Sequence, residues 1–194
     1  MKAYLTEKIK QALSSFDIDG IYAAALIVDE VTEGTYPIEC GWFVPDVEIC
    51  FGSEAKYESE KTNEMASSEA EARWNIAFWL EEPNYIISGE EYAEKVIAWG
   101  RSEGLTHYEK EPPQSFGDIL ENEAEISAVR RVYINMLVGI VKQLHESGFI
   151  AECFGREIPI LIQGYDIDVE TIVDVIAANG EELADGFIKY VNEY

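Results

Sequence analysis

Cysteine is scarce and badly spaced for either of its structural uses. Cys40, Cys50 and Cys153 are an odd number and no two form a CxxC pair, so neither a disulfide scaffold nor a structural zinc site is expected. Histidine is scarcer still. His107 and His145 stand alone without an HxxxH partner, which argues against a histidine-based metal site. Basic residues are few, 14 Lys and Arg against 38 Asp and Glu, for a formal net charge of −24. A field of that sign repels phosphate backbones and anionic headgroups, so nucleic acid and membrane are set aside as partners and a basic protein is favoured. No apolar run approaches the ~20 residues that span a bilayer. Met1 is followed by an amphipathic pattern rather than a charged head and apolar core, so no signal peptide is read. GxSxG, GxGxxG and GxxxxGK[ST] are all missing, which removes the commonest nucleophile and phosphate-loop signatures. The expectation is a protein of the reducing cytoplasm with no catalytic residue, cofactor or metal to assign.

What is present is apolar and aromatic. Hydrophobic residues make up 47% and aromatic residues 12% of 194, enough for one domain, residues 1–194, with a sizeable core. Leu5, Ile9, Ala12, Leu13 and Phe16 predict an amphipathic helix over 2–16. Asp17 to Gly20 reads as a turn, and Ile21 to Val28, almost wholly apolar, as a central strand. Tyr36–Val44 and Val47–Phe51 read as two strands around Pro45-Asp46, the second half-buried and antiparallel. The polar stretch 52–63 reads as a mobile loop. Ser68/Glu71 and Ser88/Glu91 have capping-box spacing and predict helices over 67–80 and 89–103. Pro112-Pro113 marks 106–116 as an exposed, irregular connection. A stripe from Val129 to Leu144 predicts a helix over 118–147 that crosses the sheet, stopped by Gly148. The β-branched run Ile158–Ile162, between Gly155 and Gly164, reads as a strand buried on both faces. Two amphipathic helices follow, around Val169–Ile176 and Leu183–Val191. The pattern predicts an α+β fold, with a mixed or largely antiparallel sheet of four to five strands and about six helices.

Few residues suggest chemistry. Cys153 would be a nucleophile only beside a base, and a small buried hydrophobe is the better reading. The Asp-Ile-Asp elements at Asp17/Asp19 and Asp166/Asp168 place alternate carboxylates as a hard cation would need, without the glycine and terminal glutamate of an EF-hand. The favoured reading is a turn for the first and a helix cap at Asp168 for the second. His145, in the last turn of a helix, suits the helix dipole. Arg73-Trp74 with Trp79 is the most unusual cluster, and core packing outweighs a contact hot spot there. Arg156-Glu157 is expected to pair internally or with neighbouring acids.

Three stretches carry a family likeness. Asp19-Gly20-Ile21-Tyr22-Ala23, Ala72-Arg73-Trp74-Asn75-Ile76-Ala77-Phe78-Trp79, and Gly155-Arg156-Glu157-Ile158-Pro159-Ile160-Leu161-Ile162 with Ala178-Asn179 and Phe187-Ile188 span most of the chain. They resemble the early strand, the Arg-Trp element and the C-terminal strand and helices of bacterial proteins of the domain of unknown function 4303. The chain departs from that pattern at Phe78, where the family tends to be acidic, and at Gly180, where it tends to have proline. The resemblance implies a bacterial cytoplasmic protein and transfers no catalytic residue.

Three functional expectations follow. The first is a non-catalytic interaction module, in its sharpest form an immunity-type protein neutralising a basic toxin domain, with acidic loops at 52–64 and 109–125 and Glu58, Glu60 and Glu64 in contact. The alternative is a small-ligand binder or enzyme whose pocket lies at the ends of the central strands, lined by Tyr22, Arg73, Trp74, Trp79, Arg156, Tyr165 and Asp166. The third is a homodimer through an exposed aromatic patch. The sequence leaves the oligomeric state open.

Overall fold

In a computed structural model, which describes residues 1–15, 19–28, 42–62, 64–80, 85–112, 122–164 and 167–193, the apolar stretch Ile21–Val28 forms strand β1 with all its side chains buried. β2 (Val47–Ser53) runs antiparallel on one side of it, and β3 (Tyr85–Ile87) pairs antiparallel with β2. β4 (Ile160–Gln163) lies parallel on the other side, giving the order β3-β2-β1-β4. The sheet is therefore mixed, with helices on both faces, and the α+β expectation holds.

One face carries the larger core. It takes α1 (Lys2–Ser14) through Leu5, Ile9 and Leu13, α4 (Glu90–Ser102) through Tyr92 and Val96, and α5 (Glu123–Glu146) through a stripe from Ile126 to Leu144. Each such side chain taken out of water contributes about 1.5–3 kcal/mol before entropy is counted. The other face is covered by α3 (Glu69–Trp74), α7 (Val169–Asn179) and α8 (Glu181–Glu193), through Trp79, Val175, Ala184, Phe187 and Tyr190. α2 (Glu54–Glu60) follows directly from β2, and α6 (Phe149–Phe154) lies between two left-handed glycines, Gly148 and Gly155.

Several expectations are corrected. The stretch 52–63 contains a helix because Ser53 caps it, accepting from the Lys56 N–H, and because Lys56–Glu60 and Glu58–Lys61 pair along it. The helix read over 67–80 stops at Trp74. Asn75 turns extended, and its Oδ1 accepts from the Ala77 N–H to start a 3-10 turn at Ile76–Phe78. Gly89, not Ser88, is the N-cap of α4, and no side chain caps it. The strand read over Tyr36–Val44 falls partly outside the described residues, and 42–46 is not strand. β2 is buried at every position but Glu48, because it is internal to the sheet rather than half-exposed. β3, α6 and the 3-10 turn at Thr106–Tyr108 were not expected, and the described residues hold eight helices rather than six. His107 and Tyr108 are buried, so this part of the connection is not exposed. The cap at Asp168 is as read: its Oδ1 accepts from the Thr171 N–H at 2.8 Å in a full capping box.

β4 is an edge strand, and Asn179 occupies its edge. The Asn179 Oδ1 accepts from the Ile160 N–H at 2.7 Å, while Nδ2 donates to the Ile160 and Val175 carbonyls at 2.9 and 2.8 Å. The side-chain amide thus imitates a neighbouring strand. His145 Nε2 donates to the same Oδ1 at 3.0 Å, and Nδ1 faces Glu157 Oε2 at 2.6 Å. His145 stands in the last turn of α5, as read, and is held there by these two contacts.

Candidate functional site

The Arg-Trp element assembles where β1 begins and β2 ends. β1 is bulged here: Ile21 pairs with Ser53 and Ala23 with Gly52, so Tyr22 has no strand partner of its own. A bulge re-aims a side chain, and Tyr22 lies across Gly52, where an added Cβ would meet the ring at 2.6 Å. The Tyr22 ring stands edge-on to Trp74 and Trp79, with centroids 5.9 and 6.0 Å away, and Trp74 in turn meets Phe187 at 6.3 Å. Burial pushes the Tyr22 hydroxyl far above the usual phenol range, against the opposing pull of Arg73. It serves as a hydrogen-bond donor.

α3 delivers Arg73 into this cluster. Ser68 caps the helix by accepting from the Glu71 N–H, and Glu71 reaches back to the Ser67 N–H at 2.6 Å. At the other end, the Arg73 carbonyl would be left without an intrahelical donor. It accepts instead from the Tyr22 hydroxyl and from Trp79 Nε1, the latter at 2.8 Å. The Arg73 guanidinium sits 4.0 Å from the Tyr22 ring centroid and 4.8 Å from that of Tyr57, an arrangement favoured by the ring quadrupole. Its fork holds Glu54, Nη1 to Oε2 at 3.1 Å and Nη2 to Oε1 at 2.8 Å. Arg156 approaches the same carboxylate at 4.0 Å and donates to the Ile21 carbonyl at 3.2 Å. The hydrogen bond from Arg73, only partly offset by desolvation, holds Glu54 below the usual carboxylate range.

Tyr22, Arg73, Trp74, Trp79 and Arg156 are therefore brought together, as the strand-end reading requires. Tyr165 and Asp166 lie outside the described residues. The carboxylate of Glu54, which is not among the residues expected from the sequence, fills the space between the two arginines; only its place three residues past the expected strand and beside Ser53 hinted at it. The cluster is a packed, internally satisfied hub, with Trp79 wholly buried and Trp74 half-buried. The aromatic patch on which a homodimer was premised is thus turned inward.

The remaining candidates separate. Cys153 is half-buried with Ser14 Oγ 3.7 Å from its sulfur; neither histidine is its partner, since His107 binds Phe43 and His145 binds Glu157 and Asn179. Cys50 is buried, which together with Glu48 pushes its thiol up to about 12 and leaves it inert. Cys40 and Asp17 lie outside the described residues, and Asp19 sits in the turn before β1. Among the described residues no group of His, Cys, Asp and Glu is placed to hold a metal ion, and no helix is long and apolar enough to cross a membrane. Compared with known proteins, the chain matches no family model, no curated protein and no solved structure.

The expected acidic contact residues behave differently from one another. Glu58 and Glu60 pair with Lys61 at 2.6 Å and Lys56 at 2.8 Å within their own segment. Glu64 is exposed beyond it. The denser unpaired charge lies on α8, where Glu181, Glu182 and Glu193 are exposed and make no ion pair among the described residues, and only Asp185 is matched, by Lys189. On α7 beside it, Val169 and Val173 are 77% and 59% exposed, one turn apart.

Proposed function

We propose that the chain is a non-catalytic interaction module, acting in the cytoplasm, that binds a basic protein through the helical face formed by α7 and α8. The observations that carry this reading are the exposed carboxylates Glu181, Glu182 and Glu193 on α8, which make no ion pair among the described residues, and the exposed Val169 and Val173 on the adjoining α7. Exposed carboxylates on one helix and exposed apolar side chains on its neighbour fit a partner that presents both basic and apolar contacts. Its sharpest form is an immunity-type protein covering the basic surface of a toxin domain. The resemblance to the domain of unknown function 4303 belongs to the same proposal and supports a bacterial setting. The hub around Arg73 is the rigid support of this face, because Trp74 packs onto α8 at Gly186 and Phe187.

The test is affinity capture from native lysate in low salt followed by a high-salt wash, run in parallel with the Glu181→Lys/Glu182→Lys/Asp185→Lys variant. A basic protein held at low salt, shed at high salt and lost from the variant supports the proposal. Its next check is whether that protein is toxic when expressed alone and tolerated on co-expression. Capture that is indifferent to both salt and charge reversal overturns it.

A further inference from the structure

A surface cleft lies on the opposite face of the sheet from α7 and α8. The start of α1, the end of α4 and the middle of α5 border an open surface cleft of about 520 Å³ lined by Met1, Lys2, Trp99, Glu103, Val132 and Met136, with Ser102. That volume is in the range of small-molecule sites. Val132 and Met136 stand one turn apart on α5 and supply an apolar wall. Trp99 is half-buried and fixed in place: it packs edge-on to Tyr133, with centroids 6.1 Å apart. Tyr133 is itself fully buried and hydrogen-bonded to Tyr92 at 2.6 Å. The aromatic wall is thus held before any ligand arrives.

The cleft carries side-chain charge of both signs. Lys2 and Glu103 both line it, yet they do not pair with each other, and neither makes an ion pair with any other described residue. The Lys2 ammonium lies near Gly139 of α5, where a Cβ would stand 3.5 Å from it. One side-chain cation, one side-chain anion, the Met1 backbone beside them and an apolar aromatic wall are complementary to a zwitterion that carries a large apolar side chain.

We propose that this cleft binds such a zwitterion, an aromatic or branched amino acid, either free or as a short peptide. Lys2 takes the carboxylate, Glu103 takes the ammonium, and Trp99, Val132 and Met136 take the side chain. This site is independent of the acidic face on α7 and α8.

The probes are L-phenylalanine and the dipeptide phenylalanyl-alanine, with phenylacetate and phenethylamine as single-charge controls. Binding is followed by calorimetry and by amide NMR shifts on full-length protein tagged at its C-terminus. Saturable binding of a zwitterion, with shifts confined to residues around Trp99, Val132 and Met136, is the expected result. Lys2→Gln and Glu103→Gln each weaken it by about tenfold, as loss of a charge-assisted contact does. Neither substitution touches the core, so both variants fold. Tighter binding of the free amino acid identifies a metabolite site, and tighter binding of the dipeptide a peptide site. Single-charge controls that bind as well as the zwitterions overturn the proposal. So does the absence of saturable binding by every probe at millimolar concentration.

Discussion

Arg73 and Tyr22 are joined twice: the guanidinium of Arg73 stacks 4.0 Å from the centre of the Tyr22 ring, and the Tyr22 hydroxyl donates to the Arg73 carbonyl. The first contact uses the side chain of Arg73 and the second its backbone, so a single tyrosine sets both the end of α3 and the direction of its last basic residue. The geometry needs the bulge at Tyr22 and the bare surface of Gly52 opposite. It also ties the cluster together: the Tyr22 hydroxyl, Trp79 Nε1, the Arg73 fork and the Glu54 carboxylate are matched to one another.

Removing one donor from that carbonyl tests the claim. Tyr22→Phe is expected to lower stability by about 1 kcal/mol, because Trp79 Nε1 still serves the Arg73 carbonyl. Arg73→Lys keeps the charge but loses the fork on Glu54 and the stacking on two rings. Its double-mutant cycle with Glu54→Gln should give a coupling of about 0.5–1 kcal/mol, modest because the pair is partly exposed. Urea midpoints at constant slope are the measurement, and a coupling of zero would remove the ion pair from the account.

Gly186 gives a prediction of sign. In the middle of a helix, Gly→Ala usually stabilises by about 1 kcal/mol. Here a Cβ would lie 2.5 Å from Trp74 Cζ2, so Gly186→Ala is expected to destabilise by about 1–3 kcal/mol through overpacking. A rise in the thermal midpoint would show that Trp74 yields easily and that α8 is not braced by it.

Asn179 guards the edge of β4. Asn179→Leu leaves the Ile160 N–H and carbonyl without their side-chain partners, at a cost of about 2 kcal/mol or more. Asn179→Asp keeps an acceptor but loses both donations to the Ile160 and Val175 carbonyls, and is expected to fall between the two. Hydrogen exchange at the Ile160 amide should accelerate in the Leu variant before exchange in β1 does.

The pH dependence of folding should carry the mark of His107. Its Nε2 accepts from the Phe43 N–H at 2.9 Å, and burial holds its pKa below the ordinary histidine value. A neutral ring is therefore favoured in the fold, and the unfolded chain binds the proton first. The stabilisation is complete above about pH 6.5 and is lost as pH falls from there through the lower folded value. His107→Gln keeps an acceptor and does not titrate. Between pH 7.5 and 5 the parent protein should lose more stability than this variant, measured by urea unfolding. Equal losses would show that His107 is not the group responsible.

Sequence periodicity and local rules determined much of the fold. The apolar run Ile21–Val28, the stripes of α1 and α5, the cap at Asp168 and the buried strand before Gly164 were all legible, because each is fixed by burial pattern or by neighbours within four residues. The association of Tyr22, Arg73, Trp74 and Trp79 was readable as a set of suspects. Their arrangement was not. It depends on a bulge whose partner strand lies some thirty residues further along β2, on Glu54 arriving from the end of that strand, and on a glycine in α8 making room for an indole. The same holds for the polar stretch after β2, where the cap and ion pairs outweigh a loop-like composition, and for the three-residue β3, too short to have a period. The cleft between Trp99 and Lys2 joins residues almost a hundred positions apart, and no spacing in the chain could announce it. Local chemistry chose the elements; only packing, which brings distant surfaces to within van der Waals contact, decided which side chains meet and which charges are left facing solvent.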